Sequence, residues 1–62
     1  MKVLLLGGNG YMGPHLVKVL EKNHQLRITD IMPIESEHET AIVDVANFDQ
    51  VMKAAEGMDA II

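Results

Sequence analysis

The spacing of apolar residues changes along the chain, and each spacing predicts one kind of element. The first run, Lys2 to Leu6, is apolar without alternation, which is typical of a parallel strand covered on both faces. From Gly13 onward, apolar residues recur every three or four positions, which predicts a helix over about Tyr11 to Lys22. Pro14 suits the first turn of that helix, where a missing N–H costs nothing.

Two more strands are predicted in the middle of the chain. Apolar and polar residues alternate over Leu26 to Asp30, with Arg27 and Thr29 at the polar positions. The segment Ile31 to Glu39 is rich in acidic and turn-forming residues, which predicts a solvated loop. Thr40 to Val43 is rich in β-branched residues and predicts a third short strand.

The second helix has the clearest boundaries. Asn47 and Gln50 have the spacing of a capping box, and Gly57 can take the left-handed conformation that closes a last turn. The positions i, i+3, i+4 and i+7, which predict the buried face, are Phe48, Val51, Met52 and Ala55.

The order of elements predicts the topology. Asp59 to Ile62 begins a fourth strand, and the sequence ends inside that strand. Right-handed crossovers between parallel strands give the order 3-2-1-4, with a reversal of winding between strands 1 and 4. We therefore expect an α/β fold with a doubly wound parallel sheet, and we expect residues 1–62 to be the N-terminal portion of a longer domain.

A glycine motif lies between the first strand and the first helix. Residues 8–13, Gly-Asn-Gly-Tyr-Met-Gly, match G-x-G-x-x-G, and Asp30 follows seventeen residues after the last glycine. In such motifs Gly8 would allow the sharp turn, Gly10 the approach of a pyrophosphate, and Gly13 close packing of helix on strand. The unpaired N–H groups and dipole of the helix favour phosphate. This context predicts a dinucleotide-binding site in a Rossmann-type sheet.

Other interpretations of the glycines are weaker. A P-loop needs lysine and a hydroxyl residue where the chain has Pro14-His15. The Asn9-Gly10 dipeptide favours a hairpin, but a uniformly apolar strand before it and a helical period after it do not. A methyltransferase would have an acidic residue at the end of strand 1 and another glycine spacing. A tight turn without any ligand is the simplest alternative.

Composition and net charge limit the classes of partner that the chain is expected to bind. Nine acidic residues against five basic ones give a net charge of −4, so the chain lacks the basic surface expected for nucleic acid or anionic membranes. The apolar run at the N-terminus is too short for a signal peptide. The absence of cysteine is compatible with the cytoplasm. His38 lies among glutamates, but alternating carboxylates in a loop are usually solvated, so no metal site is expected.

The whole chain resembles the start of extended short-chain dehydrogenases/reductases, the NAD-dependent epimerase/dehydratase family. Gly7, Gly10 and Gly13 match that family's Thr-Gly-x-x-Gly-x-x-Gly spacing, and the second-strand aspartate, the third-strand Asp-Val pair and the start of strand 4 follow in the family's order. Two departures are Leu6, where threonine is usual, and Pro14, where serine is common. Each of these residues replaces a hydroxyl group that could make a hydrogen bond within the loop, but neither blocks the approach of a phosphate.

The resemblance implies roles for single residues. Asp30 would accept from the adenosine ribose hydroxyls and repel a 2′-phosphate, which favours NAD over NADP. Asp44 would accept from the adenine amine while the Val45 N–H donates to the ring. Tyr11 and Met12 would contribute their backbone N–H groups. From the residues alone, a strand-end turn is the alternative role for Asp30, and Asp44 could equally cap the turn before the second helix.

The resemblance implies an oxidoreductase, epimerase or dehydratase that acts on a sugar nucleotide or similar small molecule. The family's catalytic tyrosine and lysine, four residues apart, have no counterpart, since the only tyrosine is Tyr11 and His15 lies four positions later. Catalytic residues and the substrate site are therefore expected outside this chain, and the resemblance leaves room for a homodimer of the full-length protein. A non-catalytic dinucleotide-binding or sensing module is the alternative.

Overall fold

A computed structural model describes all 62 residues of the chain. It contains six elements in the predicted order. They are β1 (Lys2–Leu6), α1 (Gly13–Leu20), β2 (Gln25–Asp30), β3 (Glu39–Ile42), α2 (Phe48–Ala54) and β4 (Ala60–Ile61).

The four strands form one parallel sheet in the order β3-β2-β1-β4, which confirms the predicted topology. The ladder between β1 and β4 continues to the end of the chain, where the Leu6 N–H donates to the Ile62 carbonyl at 2.9 Å. Because β2 and β4 flank β1 on opposite sides, the chain reverses its winding there, and the carboxyl end of β1 borders the reversal.

Each face of the sheet carries its own apolar cluster. On one face, Val3, Leu5, Leu26 and Ile28 are buried beneath Leu16, Val17 and Leu20 of α1. On the other face, Leu4, Val43 and Ala54 are buried together, with Val51 and Ala55 of α2 packed against them. Coverage on both faces explains why β1 is continuously apolar from Val3 to Leu6, and why Thr29, predicted at a polar position, is 1% exposed. Its hydroxyl donates to the Leu5 carbonyl at 3.1 Å.

The helix α1 is shorter than predicted at both ends. It begins at Gly13, because residues 7–12 form successive turns in which the Gly10 N–H donates to Gly7 and the Gly13 N–H to Gly10. It ends at Leu20, whose carbonyl accepts from both Asn23 and His24 N–H groups in a closing turn. Apolar spacing therefore located the packed face of α1 but overestimated its length.

Two predictions for α2 need correction. The Asn47 side chain caps the helix by accepting from the Gln50 N–H at 3.1 Å, but the Gln50 amide oxygen accepts from Asp44 instead of completing a reciprocal capping box. Phe48 and Met52, predicted on the buried face, are 73% and 55% exposed. The short helix lies with Val51, Ala54 and Ala55 toward the sheet, so the buried face is shifted around the helix axis. Gly57 has the predicted left-handed conformation, with φ of 77°.

Arg27 fixes the end of α2 to the amino-terminal half of β2. Its guanidinium group donates to the carbonyls of Ala54 and Glu56, and its Nε lies 2.6 Å from Glu39 Oε2 on β3. A cation at the carboxyl end of a helix satisfies carbonyls that have no partner within the helix. This contact places α2 across β2 and β3 on the face opposite α1.

Candidate functional site

The sharp turn at the end of β1 is made by Gly7. Its φ of 72° lies in the left-handed region, which glycine adopts without the steric penalty of a Cβ atom. The sequence motif had placed this role on Gly8, whose φ is not positive, so that assignment is wrong by one residue. The glycine spacing that begins at Gly7, which carries the family resemblance, describes the turn better than the spacing that begins at Gly8.

Gly8 and Gly13 are required by close packing. A Cβ on Gly8 would overlap Cγ2 of Ile28, and a Cβ on Gly13 would overlap the Gly8 carbonyl. The second contact joins the start of α1 directly to the loop that leaves β1, as predicted for the third glycine of the motif. Gly10 has a different environment, because an added Cβ would meet only Gly7 O, at 3.2 Å. A Cβ on Gly10 would thus press on one backbone oxygen, which is a milder conflict than the overlaps at Gly8 and Gly13.

Several backbone donors around this loop have no acceptor in the protein. They are the N–H groups of Gly7, Tyr11, Met12 and His15. Tyr11 and Met12 are 91% and 57% exposed, so their side chains leave the backbone accessible. Unpaired N–H groups at the start of a helix attract anions, and the helix dipole adds to that attraction. The loop thus has the backbone donors that a pyrophosphate group requires.

Asp30 lies at the carboxyl end of β2, beside the glycine loop. Its Oδ2 accepts from the Asn9 N–H at 3.0 Å, and its Oδ1 accepts from the Met32 N–H at 3.2 Å. These N–H groups, Asn9 first, hold the pKa of the Asp30 carboxyl below its ordinary value of 3.8. A carboxylate has about four acceptor sites, so two contacts leave capacity for further donors such as ribose hydroxyls.

Asp44 and Val45 follow β3 at the same edge of the sheet. A cleft of about 190 Å³ is lined by Gly7, Asp30, Ile31, Val43, Asp44 and Val45. Asp44 Oδ1 accepts from the Ala46 N–H at 2.9 Å, which is the local turn contact that its sequence position allowed. The second Asp44 oxygen makes no contact within the protein, and Val45 is 65% exposed. The structure therefore brings both residues to one cleft with Gly7 and Asp30.

The remaining predicted residues, Gly10, Tyr11, Met12 and Gly13, lie in the loop next to the cleft and do not line it. Two residues of this region were missed by sequence reasoning. Asn9 was considered only as part of a hairpin dipeptide, although its N–H joins the loop to Asp30. His15 was considered only for its side chain, although its N–H is one of the free donors. The helix boundary at Gly13 is the signal that identifies that N–H.

The histidine side chains take no part in this arrangement. His38 Nε2 lies 3.3 Å from Glu21 Oε2 on the turn after α1, and the His38 N–H donates to the Ser36 hydroxyl. His15 is exposed and tilted against the Tyr11 ring at a centroid distance of 6.5 Å.

Neither helix combines the length and apolar content that crossing a membrane requires.

No protein-family model matches the chain. A 3-beta-hydroxysteroid dehydrogenase from Mycolicibacterium neoaurum is 34% identical over 65 aligned positions, which cover 97% of this chain and 18% of that protein. A solved structure described as a mutated uronate dehydrogenase matches with a TM-score of 0.82 at 23% identity, covering 97% of this chain and 23% of that structure. The chain thus spans about a fifth of the length of each relative. The structural likeness shows a Rossmann-type fold.

Proposed function

We propose that this chain is the dinucleotide-binding segment of an NAD-dependent oxidoreductase related to the short-chain dehydrogenases/reductases. The observation that carries the proposal is the set of unpaired N–H groups at Gly7, Tyr11, Met12 and His15, in the loop and first helical turn that follow β1, where the sheet reverses its winding. Backbone donors and a helix dipole in this position suit a pyrophosphate without any lysine or arginine.

The neighbouring cleft supports the assignment of the adenosine half. Asp30 would accept from the ribose hydroxyls, while Asp44 and the Val45 N–H would serve the adenine. The bound nicotinamide would supply hydride transfer, and the protein would supply binding and orientation. Because Asp30 is anionic and no arginine lies beside it in the cleft lining, a 2′-phosphate would be repelled, so we expect NAD to be preferred over NADP.

The proposal extends to the class of reaction and the class of substrate. The curated relative and the structural neighbour are both dehydrogenases by name, which supports an oxidoreductase. The sequence resemblance to the epimerase/dehydratase family favours a sugar nucleotide or a related small molecule as the substrate. The tyrosine and lysine that such enzymes use have no counterpart among these 62 residues, so we propose that other parts of a longer protein supply them.

Isothermal titration of the intact protein with NAD, NADP and S-adenosylmethionine tests the cofactor class. We expect heat with NAD, weaker binding of NADP, and none with S-adenosylmethionine. Asp30→Ala should weaken NAD binding by about tenfold or more, because hydrogen bonds to a charged group are lost, and should narrow the difference between NAD and NADP.

Asp59→Ala is the matched control. Its carboxylate also accepts from a distant backbone N–H, that of Lys2 at 2.8 Å, but at the opposite end of the sheet. It should bind NAD as the unaltered protein does. A tenfold preference for NADP that Asp30→Ala does not change would refute the cofactor assignment, and binding of S-adenosylmethionine alone would replace it with a methyltransferase.

A further inference from the structure

Asp30 contacts the glycine loop directly, before any ligand is considered. The 3.0 Å bond from the Asn9 N–H to Asp30 Oδ2 joins residues 21 positions apart in sequence, so a local turn at the end of β2 does not account for it. The bond from the Met32 N–H is the local one. The same carboxylate therefore serves both its own turn and the loop after β1.

Asp44 provides the internal comparison. It also follows a strand and also accepts from the N–H two residues later, at Ala46, but it makes no contact with the glycine loop. Of the two strand-end aspartates, Asp30 therefore makes a long-range bond to the loop, while the Asp44 carboxylate makes only the local one. Because β2 lies beside β1 in the sheet and β3 does not, the position of its strand brings Asp30 to the loop.

The loop has few other restraints between β1 and α1. Gly8 is fixed by its N–H bond to the Thr29 carbonyl and by packing on Ile28, and the Gly10 and Gly13 N–H groups close small turns. The bond from Asn9 to Asp30 is the only side-chain hydrogen bond made to the backbone of residues 7–13. Asn9 lies between the tightly packed Gly8 and the segment that carries the free Tyr11 and Met12 N–H groups, so this bond restrains the entry to that segment.

We infer that Asp30 is a positioning residue for the glycine loop, which it holds through the Asn9 N–H in the geometry that receives a pyrophosphate, in addition to any contact with ribose. The inference rests on the proposed function and deepens it. Because the loop is already ordered, binding of a ligand does not have to restrict its conformation. Preorganisation of this kind raises affinity by lowering the conformational entropy that is lost on binding.

A ligand without ribose separates this role from ribose recognition. If Asp30 acted only on ribose hydroxyls, Asp30→Ala would leave the affinity for inorganic pyrophosphate unchanged, or would raise it by removing a repulsive charge. If Asp30 positions the loop, the same variant binds pyrophosphate more weakly. The two roles therefore predict opposite signs for one measurement.

The experiment combines amide hydrogen exchange with titration of the intact protein by inorganic pyrophosphate, both followed by NMR. In Asp30→Ala we expect the Asn9 amide to exchange about tenfold faster and pyrophosphate to bind about fivefold more weakly, as for loss of one charge-assisted hydrogen bond. Asp30→Glu, which keeps the charge, should restore part of the protection at Asn9. Asp59→Ala, which removes the comparable bond to Lys2, should change neither quantity.

An unchanged exchange rate at Asn9 in Asp30→Ala, or equal or tighter binding of pyrophosphate, would overturn the inference. Equal acceleration in Asp59→Ala would also overturn it, because the effect would then reflect general destabilisation. If the unaltered protein binds neither NAD nor pyrophosphate, the proposed function fails, while the exchange of the Asn9 amide still decides whether Asp30 holds the loop.

Discussion

The contact between Gly13 and Gly8 gives the sharpest test of the fold at the loop. In Gly13→Ala the new Cβ would overlap Gly8 O, with the carbonyl carbon and Cα of Gly8 also in reach. All three atoms are backbone, so no side-chain rotation relieves the overlap and α1 must move away from β1. Overpacking costs about 1–3 kcal/mol, and a backbone clash belongs at the upper end of that range. Alanine recovers at most about 1 kcal/mol of helix propensity, which leaves a net loss of about 2 kcal/mol.

For a domain of this size, a loss of 2 kcal/mol lowers the melting temperature by roughly 8–16 °C. Calorimetry measures that shift, and titration with NAD measures the accompanying loss of binding, which we expect to be about tenfold or more. Gly57→Ala is the control. Its φ of 77° makes alanine unfavourable there too, but no atom lies within 4 Å of the position that the new Cβ would take. It should destabilise the protein and keep NAD affinity. A Gly13→Ala protein with unchanged melting temperature and affinity would refute the packing of α1 on the loop.

Three further predictions concern the rest of the chain. Arg27→Met should lower the free energy of unfolding, measured in urea, by about 1–3 kcal/mol, because carbonyls at the end of α2, including that of Ala54, lose a charged donor. If Arg27→Lys restored the full stability, the result would contradict a role for the forked guanidinium group, which contacts several acceptors at once. The Arg27 guanidinium holds the pKa of the Glu39 carboxyl below its ordinary 4.5, so this bond stabilises the fold above about pH 4.5 and is lost as the pH falls through the lower folded value. The urea midpoint of Glu39→Gln should therefore depend less on pH below 4.5, and an unaltered pH profile would contradict the pairing. Asn47→Ala should lower the free energy of unfolding by about 1 kcal/mol in the same assay, and Asn47→Gly by only a few tenths of a kcal/mol, since glycine is tolerated at a helix start. Equal losses of stability in the two variants would contradict capping of the Gln50 N–H by the Asn47 side chain.

The sheet was predictable because its signals are local and redundant. Continuous apolar character in β1 and the handedness of crossovers are enough to give the strand order that the structure shows. The ends of α1 were not predictable from apolar spacing, because the turns on either side continue that spacing without continuing the helix. The outer face of α2 was mistaken for the inner one because Phe48 and Met52 fit a helical stripe as well as Val51 and Ala54 do.

The site was only partly predictable for a different reason. Proximity of Asp30, Asp44 and the loop follows from parallel strands, whose carboxyl ends meet at one edge of the sheet. The bond between Asp30 and Asn9 does not follow from any spacing, since it depends on how far the loop folds back over β2. The free N–H of His15 likewise depends on the residue at which α1 begins.

The four glycines of the loop do not all argue for a ligand. Gly8 and Gly13 are demanded by packing on Ile28 and on the loop backbone, and Gly7 by its left-handed turn, so these three would be needed in a protein that bound nothing. Gly10 is less crowded than Gly8 and Gly13, but a Cβ there would still press on Gly7 O, at 3.2 Å, so a local packing reason exists for this glycine too. A binding function therefore rests on the unpaired N–H groups that the fold leaves unsatisfied more than on the glycine motif itself.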